Sequence, residues 1–132
     1  MYDSARGGSD TLTVTNFGDN SSAQLFGDAH TMNGGVQGGN DTLTVTNAGL
    51  GSHAELYGDA LQMENGAQGG NDLLIAIDSG LGSSATLFGD ASVVAHGGND
   101  TLIGGRATIL CTAMPNSTLP LPPARSPAAP TS

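Results

Sequence analysis

Aspartate recurs in this sequence at two kinds of glycine turn, which alternate along the chain. One turn reads Gly-Gly-x-Asp and the other reads Gly-Asp-Ala. The first set of aspartates, called the GGxD row below, comprises Asp10, Asp41, Asp72 and Asp100. The second set, called the GDA row, comprises Asp28, Asp59 and Asp90. Carboxylates beside the exposed carbonyls of glycine turns are oxygen ligands of the kind that calcium prefers.

An isolated turn of this type has a simpler explanation, because Asp and Asn commonly hydrogen-bond to their own backbone. The asparagines Asn40, Asn71 and Asn99 are expected to do only that. For the aspartates, the lack of nearby positive charge favours metal binding over a purely structural role. Between Gly7 and Gly105 the chain holds every Asp and Glu except Asp3, and no Lys or Arg. Zinc or copper would need recurring Cys or His ligands, and none recurs.

The overall composition excludes several classes of function. A formal charge of -9 and a pI near 4.1 disfavour binding to nucleic acids or to anionic membranes. Only 37% of the 132 residues are apolar and none is Trp, so the chain is at most one domain with a small core. His30, His53 and His96 occupy unrelated positions and are expected to be exposed to solvent. No catalytic motif is present, and we predict that the chain is not an enzyme.

The aspartate turns belong to a long internal repeat. Copies of one phrase begin at Gly7, Gly38, Gly69 and Gly97, and their starts are separated by 31, 31 and 28 residues. A second phrase, typified by AELYGDA, recurs between them at a constant spacing of 31 residues. A period of this length is typical of an architecture in which one structural unit stacks on the next.

Each unit is predicted to contain two short strands. After the GGxD turn, apolar residues such as Leu43 and Val45 alternate with threonine, which is the pattern of a half-buried strand. A second strand is expected around Leu56, and the glycine-rich NAGLGSH loop separates the two. No stretch shows a helical pattern. Since two short strands cannot bury a core alone, we expect an all-β fold, a parallel β-roll or β-solenoid of about three to four coils.

Stacking would bring equivalent aspartates into register. At the ordinary strand spacing of ~4.8 Å, two carboxylates repel by ~1 kcal/mol in bulk water and by ~3.5 kcal/mol at an effective dielectric of about 20. Several such contacts would remove most of the stability of a small fold. A divalent cation between the coils would convert this repulsion into attraction.

These turns resemble the RTX, or haemolysin-type, calcium-binding repeats, whose nonapeptide is G-G-x-G-x-D-x-U-x with U a large apolar residue. Residues 8–12, 39–43, 70–74 and 98–102 match its second half. The resemblance implies a calcium-binding β-roll of a secreted bacterial protein. It also implies that ions are held by both aspartate rows and by the turn carbonyls of Gly39, Gly70 and Gly98. The sequence departs from the family pattern by inserts, at residues 30–38, 61–69 and 92–97.

The predicted organisation is a lead-in over residues 1–6, the repeats over 7–105, and a segment over 106–132. Residues 107–111 are predicted to add a last strand, followed by a disordered tail that contains all six prolines. Cys111, the single cysteine, is expected to be buried or to pair with another chain. No signal peptide is evident, which is compatible with the type I export typical of the RTX family. Open ends of the stack favour end-to-end self-association.

Two alternatives to a purely structural calcium module remain. A carbohydrate-binding or surface-binding adhesion module would use the aromatic ladder of Phe26, Tyr57 and Phe88, placed outward or at an edge, although stacking of the rings between coils explains it more simply. The other alternative is an accessory domain of a secreted polysaccharide-active enzyme. Met32 and Met63, in the inserts, are expected to fill space over the roll.

Overall fold

A computed structural model describes residues 5–93, 96–105 and 108–109, the last two for the backbone alone. These residues form ten strands. They are β1 (Thr11–Asn16), β2 (Ser22–Phe26), β3 (Ala29–Asn33), β4 (Thr42–Asn47), β5 (His53–Tyr57), β6 (Ala60–Glu64), β7 (Leu73–Asp78), β8 (Ser84–Phe88), β9 (Thr101–Gly104) and β10 (Thr108–Ile109). Within the described ranges there is no helix, and hence no helix that could cross a membrane. The predicted all-β class is confirmed.

The strands form three parallel sheets, and each of the first two repeats contributes one strand to each sheet. The first sheet has the order β1-β4-β7-β9, the second β10-β8-β5-β2, and the third β3-β6. Equivalent residues face one another: Leu43 pairs with Leu12 on one side and with Leu74 on the other. The register therefore follows the repeat period read from the sequence.

The predicted alternation positions the main core. Leu43 and Val45 of β4 are fully buried, as are Leu56 of β5 and Leu87 of β8, while the threonines of β4 lie on the opposite face. Burying one such leucine stabilises the fold by ~1.5–3 kcal/mol. Because this core lies between the first and second sheets, it holds the loops at both of their edges in a fixed register.

The two-strand unit predicted from the sequence is wrong, because the segments treated as inserts supply the third sheet. β3 and β6 pair in parallel, and Met32 and Met63 are paired with each other and almost fully buried. Together with Ala60, Ala67 and Ala91 they form a second apolar cluster. The expected filling role of the methionines is confirmed, but as the core of a sheet. β3 carries one large apolar residue, Met32, and β6 carries two, Leu61 and Met63, so the alternation is too short to reveal the sheet.

The aromatic ladder is stacked, as the simpler explanation predicted. The ring centroids of Phe26 and Tyr57 are 5.1 Å apart, and those of Tyr57 and Phe88 are 4.6 Å apart with nearly parallel planes. Tyr57 is only 3% exposed, so it does not point outward. Both faces of its ring are covered by neighbouring rings, which leaves neither face for a sugar.

The structure also describes a short last strand and the surroundings of the three histidines. Thr108–Ile109 pairs in parallel with β8, which confirms a last strand within the predicted 107–111 segment. Cys111 and the proline-rich tail lie outside the described residues. His30 and His96 are exposed as expected, whereas His53 is half-buried and its Nδ1 lies 3.0 Å from Ser84 Oγ.

Candidate metal centre

The two aspartate rows meet at one corner of the fold, called the acidic corner here. The GDA turn joins a strand of the second sheet to a strand of the third, and the GGxD turn leads into the next strand of the first sheet. Because the strands of all three sheets pair in parallel and in register, each turn lies directly above the equivalent turn of the next repeat. Five of the seven aspartates, all but Asp10 and Asp28, are at most 3% exposed.

The seven predicted aspartates form three clusters, in each of which one carboxylate oxygen per residue lies within 4.8 Å of the others. The first cluster is Asp10, Asp28 and Asp41; the second is Asp41, Asp59 and Asp72; the third is Asp72, Asp90 and Asp100. Asp41 and Asp72 each belong to two clusters. The corner is therefore one continuous line of carboxylates, in which the GGxD and GDA rows alternate.

The GGxD row uses one carboxylate oxygen of each residue to connect repeats. The backbone N–H of Asp10 donates to Asp41 Oδ1 at 2.7 Å, and the N–H of Asp41 donates to Asp72 Oδ1 at 2.7 Å. Asp72 donates in the same way to Asp100 Oδ1 at 3.0 Å. The second oxygen, Oδ2, of Asp41, Asp72 and Asp100 is buried and has no hydrogen-bond donor.

The GDA row is held by the glycines of the following turn. The N–H of Gly39 donates to Asp28 Oδ2 at 2.8 Å, and the N–H of Gly98 donates to Asp90 Oδ1 at 2.6 Å. Gly70 donates to both oxygens of Asp59 at 3.1 and 3.2 Å.

Only the carbonyls of these glycines were predicted to act. The N–H contacts were missed because a sequence pattern does not show which backbone group faces a side chain. The carbonyl oxygens of Gly39 and Gly70 lie against the α-carbon of the next glycine in the stack. Their role as ligands, and that of Gly98, stays a prediction.

Glycine is required at the acidic corner because the carboxylates lie against its α-carbons. A Cβ on Gly58 would overlap both Asp72 Oδ2 and the carbonyl oxygen of Gly89. A Cβ on Gly69 would overlap Asp90 Oδ1 and come within 2.7 Å of Asp59 Oδ2. The first glycine of GGxD and the glycine of GDA therefore leave the space in which the carboxylate oxygens converge.

Burial makes these carboxylates poor anions in the absence of a cation. It raises the pKa of Asp41 to about 6 and that of Asp72 to about 8, in each case mainly by desolvation and further by neighbouring aspartates. The pKa values of Asp59, Asp90 and Asp100 are also raised, again mainly by desolvation. A proton or a metal ion at the corner would relieve the same unfavourable charge.

The opposite corner, called the amide corner here, was not recognised as a polar ladder from the sequence. The Asn16 side chain donates to Asn47 Oδ1, and the Asn47 side chain donates to Asp78 Oδ1, both at 2.8 Å. Asn47 also donates to the Ser84 carbonyl at 3.1 Å and is fully buried. The signal was available, because both asparagines end the repeated phrase TLTVTN.

The asparagines of the GGxD turns act structurally, as predicted, although between repeats rather than within their own turn. The N–H of Asn71 donates to Asn40 Oδ1 at 2.8 Å, and the N–H of Asn99 donates to Asn71 Oδ1 at 2.7 Å.

Comparisons with known proteins add no relative to this description: no family profile, curated protein or solved structure matches the chain. Buried carboxylate oxygens that lack donors and converge in groups of three can hold a metal ion.

Proposed function

We propose that this chain is a calcium-binding structural module, a parallel β-solenoid of the RTX β-roll type that becomes rigid when calcium occupies its acidic corner. One observation carries the proposal. Four buried oxygens, the Oδ2 atoms of Asp41, Asp72, Asp90 and Asp100, have no donor and belong to the aspartate clusters. Burying an anion without a counter-charge costs free energy, and a cation bound among these oxygens would remove that cost.

The donor set favours calcium among the common metals. Each cluster offers carboxylate oxygens only, and calcium binds oxygens at ~2.3–2.6 Å, so that opposite ligands are ~4.6–5.2 Å apart. Because the clustered oxygens all lie within 4.8 Å of one another, one ion could contact all three aspartates. Magnesium needs a tighter octahedron and gives up its waters reluctantly, which makes a site of three convergent protein carboxylates less suitable.

Ion binding and folding are expected to be one linked event. Each cluster combines two aspartates of the GGxD row from successive repeats with one aspartate of the GDA row between them. An unfolded chain would not bring aspartates 28 or 31 positions apart within one coordination sphere. The free energy of binding therefore stabilises the stacked arrangement directly.

The same argument favours a location outside the cell. Calcium modules with sites of the ~10⁻⁴–10⁻³ M class are saturated at the calcium level outside cells and empty in the cytosol. A chain that repels itself without calcium would therefore remain loosely structured until export. Secretion also agrees with the RTX resemblance of the repeats.

Isothermal titration calorimetry and circular dichroism of the full chain test the proposal. Chelator-treated protein at neutral pH should lose much of its β signal, and calcium should restore it with up to three ions bound per chain. Magnesium at the same concentration serves as the matched control and should restore less. A metal-free chain that keeps the same β signal and melting temperature as the calcium-loaded chain would contradict the proposal.

A further inference from the structure

The first aspartate cluster differs from the other two in its access to solvent. Every aspartate of the second and third clusters is buried, whereas Asp10 is exposed and Asp28 is half-buried. Asp41, the third member, is 1% exposed, and its Oδ2 lacks a donor. The first cluster therefore combines a buried, unsatisfied oxygen with an opening to the outside.

Asp10 and Asp28, but not Asp41, line a cavity of about 560 Å³ at the first repeat. Met32 and Val36 contribute apolar residues to its lining. Thr31 and Asn33 add polar groups to the lining. A volume of this size lies within the ~300–1,000 Å³ range of small-molecule sites, which likewise combine an apolar wall with a few polar groups.

Arg6 also lines the cavity. Among the residues that the structure describes, Arg6 is the one Arg or Lys, and it is exposed. A strongly acidic chain would repel an anionic ligand elsewhere on its surface. Here, a guanidinium and a proposed calcium site border the same space.

We propose that the first cluster, when it holds calcium, binds a small carboxylate ligand such as a sugar acid, with the ligand bridging the ion and Arg6. This inference rests on the proposed calcium function. Calcium takes six to eight oxygen ligands, more than the three clustered carboxylate oxygens provide, so an ion at the first cluster would accept oxygens from the cavity. Arginine pairs with carboxylates in a bidentate geometry. Thr31 and Asn33 would hydrogen-bond to the ligand's hydroxyl groups.

The test is a titration of the calcium-loaded full chain with D-galacturonate, using neutral D-galactose as the control ligand. Galacturonate should bind with one site per chain, and galactose should bind much more weakly. Chelation of the calcium should abolish galacturonate binding. Binding that is equally strong in chelator, or equally strong for galactose, would overturn the inference.

Two variants locate the site. Arg6→Gln should weaken galacturonate binding about tenfold or more, because a charge-assisted bidentate pair is lost, and should leave the calcium titration unchanged. Asp19→Asn, which alters an exposed carboxylate outside the clusters, should change neither titration. Unaltered galacturonate binding in Arg6→Gln would overturn the proposed bridge.

The two proposals can fail separately. If the chain binds no calcium, the calcium function is wrong and the carboxylate site fails with it. If calcium binds as expected but galacturonate does not, the calcium function stands and the inference about the first cluster is wrong.

Discussion

The acidic corner and the amide corner are made by the same repeat unit and stack their polar residues in the same parallel register. They differ in which atoms the stacked side chains offer. An asparagine amide both donates and accepts, so Asn16 can donate to Asn47, and Asn47 can donate onward to Asp78. An ionised carboxylate only accepts hydrogen bonds, so the aspartates depend on backbone N–H groups as donors.

The backbone supplies enough donors for only part of the acidic corner. One N–H from the preceding repeat reaches Oδ1 of Asp41 and of Asp72, and Oδ2 remains without a donor. In the amide corner, Asn47 satisfies its neighbours without an ion. A ladder of amides is therefore stable by itself, whereas a ladder of carboxylates needs protons or cations.

The amide corner ends in an exception that supports this rule. Asp78 replaces asparagine in the third repeat, and its Oδ2 is buried and without a donor. A single carboxylate at the end of an amide ladder accepts the Asn47 amide at its other oxygen. One aspartate leaves one oxygen unsatisfied, whereas the GGxD and GDA rows together bring several carboxylates close, and among the described residues the clusters of three occur only where these two rows meet.

The largest predicted effect is the response of the metal-free chain to pH. Asp41 and Asp72 have pKa values of about 6 and about 8 in the folded chain, against an ordinary value of 3.8. Near pH 4 and below, the folded state tolerates these carboxyls because they are protonated. As pH rises towards 8, the unfolded state ionises first, and the free energy of unfolding falls. One pKa unit corresponds to about 1.4 kcal/mol, so the shift of Asp72 from 3.8 to about 8 alone represents about 6 kcal/mol.

Thermal unfolding in chelator across this pH range checks the prediction. The melting temperature should be highest near pH 4 and should fall towards pH 8. With calcium present the trend should reverse, because the ion binds the deprotonated carboxylates. If the metal-free chain instead becomes more stable as pH rises, the prediction is wrong. The ionised aspartates of the acidic corner would then have enough hydrogen-bond donors, as the side chains of the amide corner do.

The second prediction converts part of the acidic corner into an amide ladder. Asp72→Asn removes one charge from two clusters and keeps an oxygen that can accept the Asp41 N–H. In saturating calcium the variant should lose about 5 kcal/mol of stability, the linkage energy of two sites at a hundredfold excess of ion over Kd. In chelator at neutral pH it should be more stable than the parent chain, because folding of the parent must protonate Asp72, whose pKa rises from 3.8 to about 8, whereas asparagine is neutral in both states.

Calorimetry and thermal unfolding with and without calcium measure both changes. The opposite signs are the essential result, since a substitution that merely damages packing would destabilise the chain in both conditions. Asp19→Asn, at an exposed position, is the control and should leave both values within about 0.5 kcal/mol of the parent chain.

The sequence indicates the acidic corner more clearly than the amide corner, and this difference explains how much of the site could be predicted. The aspartates were found because a row of like charges without a counter-charge needs an explanation, and all seven lie in the clusters. The amide ladder was missed because asparagine at a strand end is ordinary turn chemistry. Only the register of the sheets brings Asn16, Asn47 and Asp78 together.

The fold was predictable to a similar extent and for similar reasons. Leucine and valine alternating with threonine revealed the first sheet, and the constant 31-residue period gave the parallel register of β1 and β4. The third sheet was not predicted because β3 has one large apolar residue, Met32, and β6 has two, Leu61 and Met63, which is too short a pattern to indicate a strand. Their stability comes from tertiary packing and parallel pairing, which local sequence does not encode.

The third prediction reverses the second by placing a carboxylate in the amide corner. Asn47→Asp removes the donor to Asp78 Oδ1 and to the Ser84 carbonyl, and it places two carboxylates together in a buried position. We expect a loss of about 2–3 kcal/mol at neutral pH. Calcium should not recover this specific loss, because the amide corner lacks a GDA row.

The smallest predicted effect concerns the space that glycine leaves for the converging oxygens. In Gly58→Ala, the new methyl group would overlap Asp72 Oδ2 and the Gly89 carbonyl, so the turn has to shift at a cost of about 1–3 kcal/mol. Calcium affinity should fall together with stability, because Asp72 belongs to two clusters. Gly35→Ala is the matched control, since no atom lies within 4 Å of the added carbon. If both variants melt and titrate alike, the glycines of the acidic corner are turn formers only, and its carboxylates do not depend on close approach to the backbone.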